Sequence, residues 1–155
     1  MAKCGDGYQM VLSWVPAKDG NVPKNAIEAG NGVYVGRASH GGQMIPGKVI
    51  PANGTAYIPY GGSEHEVSKY EVLCNSALDG KKCFKWKRDS DGNVPKYAVV
   101  AGLADDGQPL YIARSEINGE YVVGKIHQGH GYAHFPYGGR EQTEEQYDVL
   151  VWEKK

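Results

Sequence analysis

No apolar run in this chain approaches the roughly eighteen residues that a membrane-spanning helix requires. The amino terminus, Met-Ala-Lys-Cys-Gly-Asp-Gly, has no apolar core of a secretory leader. The expectation is a chain with no transmembrane segment that starts in the cytosol, with vesicle association or release by a leaderless route left open. Charge of one sign is missing too. The net charge is −1, the pI is near 6.5, and acids and bases are scattered. Nucleic acid and anionic membrane usually call for a basic surface, so neither is expected as a partner. There are three cysteines, too few and too odd in number for a disulfide framework. Free thiols are the expected state, with a Cys74–Cys83 bridge as the alternative. The chain also lacks a Gly-x-Ser-x-Gly elbow, a Cys–His arrangement and a dinucleotide fingerprint, which argues against an enzyme.

Long helices are excluded by what is abundant. Gly (22) and Pro (8) supply nearly a fifth of the residues. Between these breakers lie short runs of β-type composition: 32–38, 48–51, 56–59, 70–74, 97–100, 110–115, 121–127, 133–136 and 147–152. Asp-Gly at 19–20, 91–92 and 106–107, and Asn-Gly at 53–54 and 118–119, read as hairpin turns. Segments 63–69 and 140–146 are the stretches that could form a helical turn.

The chain also repeats itself. Trp14–Leu73 returns as Trp86–Leu150, offset by 72 residues at first and by 77 after a five-residue insertion. Asp-Gly-Asn-Val-Pro-Lys occurs at 19–24 and 91–96. Pro-Tyr-Gly-Gly occurs at 59–62 and 136–139, each followed one residue later by a Glu. Copies of about sixty residues are marginal alone, so they are expected to share one core. The fold class is therefore all-β: two tandem homologous repeats (14–73 and 86–150, connector 74–85) packed or intertwined as a pseudo-twofold antiparallel β-sandwich-like unit, one compact body over 1–155. Two equivalent sites suit a binding module better than an enzyme.

Several repeated residues are candidates for chemistry. Gly-Lys recurs at 47–48 and 124–125, read as a tight corner carrying an ammonium. No Ser or Thr follows the Lys, so it is no phosphate loop. Lys48 and Lys125 are either donors to a polyol or anion, or solvated turn lysines. Arg37 and Arg114 read as structural partners of Glu64 and Glu141. The repeated tyrosines, with Trp14 and Trp86, read as core and sheet residues. His127, His130 and His134 have a helical spacing, but Gly129 and Gly131 interrupt it, and a strand would point them to different faces. No metal site and no cofactor are expected. Asp89–Asn93 lacks the distal Glu of a calcium loop, since Val100 stands twelfth. A pair of carboxylates can be picked from eighteen acids in any chain, so a glycosidase is not indicated.

The order Asn-Val-Pro-Lys-x-Ala-x-x-x-Gly, Tyr-Val-Gly-Arg-Ala, Ile-Pro-Gly-Lys-Val, Tyr-Ile-Pro-Tyr-Gly-Gly-x-Glu-His, Tyr-Glu-Val-Leu resembles the DM-nine repeat family of invertebrates, over nearly the whole chain and in both copies. That resemblance implies intertwined repeats, metal-independent recognition of mannose-containing glycans by a soluble lectin, a role in innate recognition of microbes or parasites, and a homodimer. In the family's sugar sites the Lys works with an Asp two residues beyond the Gly that closes the first block. Lys48 and Lys125 match. The Asp position does not: it holds Gly32 in one copy and Ala104 in the other. Asp105 and Asp106 follow Ala104 in the inserted loop, whereas the first copy offers Asn31-Gly32 in a shortened one. Gln43 and Glu120, just before each Lys, are further candidates to line the pockets of their own copies. The sugar-binding set implied is Lys48, Lys125, Asp105, Ala104, Glu120, Gln43, Asn31 and Gly32. Lys supplies only donors and a carboxylate only acceptors, which together satisfy vicinal sugar hydroxyls. The competing expectation is an interaction or scaffold protein that keeps the fold and has lost sugar affinity.

Overall fold

The computed structural model describes residues 11–77 and 81–153; the amino-terminal stretch read for a leader lies outside them. Fourteen strands form among the described residues: β1 (Leu12–Lys18), β2 (Glu28–Gly30), β3 (Val33–His40), β4 (Gln43–Ile50), β5 (Thr55–Tyr60), β6 (Ser63–Val67), β7 (Lys69–Asn75), β8 (Phe84–Ser90), β9 (Val100–Leu103), β10 (Pro109–Ile117), β11 (Glu120–His127), β12 (Ala133–Tyr137), β13 (Arg140–Glu144) and β14 (Gln146–Trp152). One 3-10 turn, Pro51–Asn53, is capped by Gly54 in the left-handed region (φ 73°). Asn53-Gly54 thus lies in a hairpin turn as its composition suggests, in the four-residue loop between the paired β4 and β5, with the 3-10 turn inside that loop.

All named pairings are antiparallel. The strands form one sheet in the order β1-β7-β3-β4-β5-β6-β13-β12-β11-β10-β14-β8, with β2 on β3 and β9 on β10. Among the described residues the strands make this one curled sheet and not the two separate layers of a sandwich. The two halves of the sheet are joined at β6–β13 through Arg140 opposite Ser63. These two strands are the segments whose polar composition suggested helical turns. They are polar because they cross the exposed middle of the sheet, where neither face is fully covered. The tight links are two-residue turns with positive φ. Asn118 (51°) and Gly119 (81°) join β10 to β11, and Gly138 (63°) and Gly139 (81°) join β12 to β13.

The sheet curls so that β4 and β11, each central in its half, pack on each other without pairing. Both are therefore buried on two faces, and β4 lacks the alternation of a half-exposed strand. A central core draws Val33, Val35 and Leu73 from the first half together with Ala101, Ile112, Val123 and Leu150 from the second. A flanking cluster forms around Ile45, Ile58 and Tyr70, and another around Phe135, Tyr147 and Val149. Arg37 Nη1 donates to Ala101 O and Arg114 Nη1 to Ala29 O, both at 2.8 Å, so each half caps a carbonyl of the other.

Two cysteine expectations are corrected. Cys83 is disulfide-bonded, whereas Cys74 is a buried free thiol, so these two do not pair with each other. Both lie in well-packed surroundings, but Cys74 sits in the flanking cluster of the first half and Cys83 in the central core.

Close packing leaves no space at Gly102, where a Cβ would run into the carbonyl of Met44 on the opposing β4. Gly102→Ala is expected to cost about 1–3 kcal/mol, read by denaturant unfolding. Gly107, in open space, is a control for backbone strain alone. The Tyr147 hydroxyl donates to Asn93 O at 2.7 Å, and burial pushes its pKa up to about 12 from 10.0. The folded state holds this proton more tightly than the unfolded chain. The resulting stability is present in full below pH 10.0 and is lost as pH climbs through about 12. Stability measured against pH should fall across that window, and less steeply in Tyr147→Phe.

Candidate functional site

The repeated Gly-Lys is not a corner. Gly47 and Lys48 lie within β4, and Gly124 and Lys125 within β11. A Cβ at Gly47 would strike the carbonyl oxygen of Tyr57, and one at Gly124 that of His134, so the neighbouring strand's backbone presses against each glycine. The following lysine is held under that strand. Lys48 is among the few buried charged residues, at 7% exposure.

A buried ammonium needs a carboxylate. Lys48 Nζ meets Glu64 Oε2 at 3.1 Å, and Lys125 Nζ meets Glu141 Oε2 at 3.2 Å. These are the glutamates that follow Pro-Tyr-Gly-Gly. The sequence paired them with arginine; instead Arg37 takes Glu71 and Arg114 takes Asp148 across adjacent strands. The second oxygen of each glutamate crosses to the other half. Glu64 Oε1 accepts the Gly139 N–H at 2.8 Å, and Glu141 Oε1 accepts the Gly62 N–H at 3.0 Å. Backbone bonds reinforce the exchange, with Glu64 N donating to Gly139 O and Glu141 N to Gly62 O. The tyrosines cross as well: Lys48 Nζ is 5.4 Å from the Tyr137 ring centroid, and Lys125 Nζ is 5.6 Å from that of Tyr60.

Each lysine opens on a cavity. The Lys48 cavity, about 370 Å³, also takes Asn31, Asn53, Glu120 and Tyr121. The Lys125 cavity, about 360 Å³, takes Gln43, Ala104, Asp105, Asp106, Glu141 and the three histidines. Lys48, Asn31 and Glu120 are thus brought together, as are Lys125, Ala104, Asp105 and Gln43. Gln43 and Glu120 change places relative to expectation: each serves the lysine of the other copy, because β4 and β11 pack on each other. Gly32 does not line either cavity; it completes the turn into β3, its N–H donating to Glu28 at 2.7 Å.

The histidines were expected on different faces, and all three line the Lys125 cavity. The chain reverses between them. His127 ends β11, His134 stands opposite Lys125 on β12, and the intervening loop folds His130 back, its ring stacked on that of His127 at 3.8 Å. His127 Nε2 lies 3.0 Å from Asp106 Oδ2. The Gln108 N–H and then His127 hold the Asp106 carboxyl below the usual range. Burial leads in depressing the His134 pKa; Lys125, His130 and His127 add to the effect and Glu141 opposes it. Among the described residues no group of acidic, His or Cys side chains forms a metal cage.

Sequence reasoning missed Glu141 and the histidines as lining groups, and Glu64 as the partner of Lys48. Duplication of Glu64 and Glu141 was the available signal, but only the curl of the sheet puts them on lysine. Lys48→Met alone is expected to destabilise by about 3 kcal/mol, because it strands a buried carboxylate. A cycle with Glu64→Gln should show coupling of at least about 1 kcal/mol in denaturant unfolding. A coupling near zero would mean that the pair contributes nothing.

A family model described as the DM9 repeat matches residues 30–144. Natterin-4 of Thalassophryne nattereri is 32% identical over 142 residues, which is 90% of this chain and 33% of that protein. Natterin-3 of the same species is 42% identical over 62 residues, covering 40% of this chain and 16% of its own length. In three dimensions the crystal structure of the nematode sperm cell motility protein MFP2B matches 99% of this chain and 50% of its own with a TM-score of 0.69, at 15% identity, a likeness of fold alone. The chain spans about a third of Natterin-4 and half of the motility protein. With its repeated motifs and a family match across most of its length, the chain belongs to the DM9 repeat family.

Proposed function

We propose that this chain is a non-catalytic carbohydrate-binding module, a lectin for mannose-type glycans that works without metal and serves recognition of microbial or parasite surfaces. The observation that carries the proposal is the pair of similar-sized cavities, each floored by a lysine held against a glutamate. A sugar hydroxyl donates and accepts at once, so an ammonium beside a carboxylate satisfies both roles, and charge strengthens each bond. The family's Asp is absent at Gly32 and Ala104. In its place Asp105 lines the Lys125 cavity, and Glu120 reaches the Lys48 cavity from the opposite half.

The mirrored strand order, with each copy's strands contiguous in its own half, and the reciprocal glutamate contacts support two packed copies, 14–73 and 86–150, about a pseudo-twofold axis between β6 and β13. Two sites on one body, doubled again in a homodimer, would gain avidity on a branched glycan that one weak site lacks. Action in the cytosol is part of the proposal. A second reading, a protein-interaction scaffold, draws on the exposed Tyr97, Val100 and Leu103, whose counterparts in the first copy are Asn25, Glu28 and Asn31.

The test is retention on mannan resin in EDTA and in calcium, with elution by free mannose. Retention in both buffers is expected. Lys125→Gln and Lys48→Gln should each weaken it about tenfold or more, the loss of one charge-assisted bond and its geometry. Thermal unfolding of each variant separates lost binding from lost folding. An absence of retention in either buffer favours the scaffold.

A further inference from the structure

In the Lys125 cavity the buried His134 Nδ1 has no hydrogen-bond partner, and the buried Glu141 Oε2 beside it has only the Lys125 ammonium, 3.2 Å away. The nitrogen and this oxygen face each other at 3.8 Å, too far for a direct bond. Leaving a buried polar group unpaired is costly, so an unpartnered imidazole nitrogen beside that carboxylate, on two residues that line the cavity, calls for an explanation. A single hydroxyl oxygen placed about 2.8 Å from both resolves it, accepting from neutral His134 and donating to Glu141. Lys125 Nζ, 3.2 Å from the same Glu141 oxygen, is placed to donate to an adjacent hydroxyl.

We infer that His134 and Glu141 form the hydroxyl-binding floor of the Lys125 cavity, which takes a vicinal diol, and that protonation of His134 closes this floor, so that acid releases ligand here and not from the Lys48 cavity. The inference rests on the carbohydrate reading above. A protonated imidazole is drawn onto Glu141, and the direct ion pair takes up both atoms that the hydroxyl would use.

The charges around His134 set where this happens. β11 presents Lys125 and His127, the loop 128–132 presents His130 with the ring of Tyr132 edge-on at 5.2 Å, and β13 presents Glu141. The inserted loop presents Asp105 and Asp106, and β4 adds the uncharged Gln43. Burial, Lys125 and the two other histidines favour the neutral ring; Glu141 opposes them. The ring is therefore neutral at pH 7.5 and charges in the acidic range below 6.5. In the first copy Tyr57, Ile50 and Asn53 stand at the positions of His134, His127 and His130, so no imidazole lines the Lys48 cavity.

The experiment is a chemical-shift titration of the full chain with methyl α-mannoside at about pH 7.5 and about pH 5.2, following the amides around Lys48 and Lys125 separately. Two saturable sites are expected at the higher pH. Affinity at the Lys125 cavity should then fall about tenfold per pH unit below the midpoint of His134, while the Lys48 cavity changes little. His134→Tyr, which installs the first copy's residue, should abolish the difference between the cavities. In the sugar-free protein the His134 ring resonance should titrate at lower pH in Glu141→Gln, because the group that favours its proton is gone. Equal affinity at both pH values in the Lys125 cavity overturns the inference and leaves the lectin reading intact. Saturation at neither cavity at pH 7.5 overturns the lectin reading itself and this inference with it.

Discussion

The exchange of glutamates across the β6–β13 junction is the constraint on which the rest depends. Glu64 and Glu141 each use one oxygen to fix a glycine N–H of the other half and the other oxygen to neutralise a lysine of their own half. One carboxylate thus ties the sheet together and makes a buried ammonium tolerable. Without the crossing, the β6–β13 seam itself is held by little more than Arg140 opposite Ser63, and without its glutamate each lysine would lose its ion-pair partner. The Gly-Gly that precedes each glutamate is part of the device. It turns the chain with positive φ and leaves an N–H free to donate across the junction.

The cavities follow from the same arrangement. Because β4 and β11 pack on each other, the residue before each lysine's strand core faces the other lysine, and each tyrosine of Pro-Tyr-Gly-Gly covers the other half's ammonium. Neither cavity belongs to one repeat. This agrees with the size argument, since a sixty-residue copy has too little interior to bury a charged pair unaided. The shared central core, drawn from both halves, has the same origin.

Duplication then permitted divergence without loss of the frame. The lysine, glutamate, tyrosine and glycines recur in both copies, whereas the walls differ: Ile50 and Asn53 on one side, His127, His130 and His134 on the other. Most wall positions stand at strand ends or in a loop, Ile50 and His127 at the ends of β4 and β11 and His130 between strands, whereas His134 is paired within β12. The frame positions sit in the middle of the sheet, where Gly47 and Gly124 have no space for a side chain.

The sequence by itself determined the doubling, most of the turns and the strands at the centre of each half, but not β1, β6, β8 and β13. Gly and Pro density excluded long helices, Asn118-Gly119 fixed a hairpin, and recurrence of Pro-Tyr-Gly-Gly-x-Glu marked residues of one role. These are local or periodic signals, carried by a few neighbouring residues at a time. The family resemblance pointed to Lys48 and Lys125, but the partner of each lysine was not legible. Arginine and lysine are equally plausible mates for a glutamate when only spacing is known. Polar 63–67 and 140–144 resembled turns because the period-2 pattern fades in strands exposed on both sides of a junction. The histidines looked dispersed because a strand alternates its faces, and the reversal between β11 and β12 that gathers them is a property of the folded hairpin. Which carboxylate meets which ammonium, and which half completes which cavity, was decided by tertiary structure alone. Both depend on how far the sheet curls, a sum over many weak packing contacts that no single motif encodes.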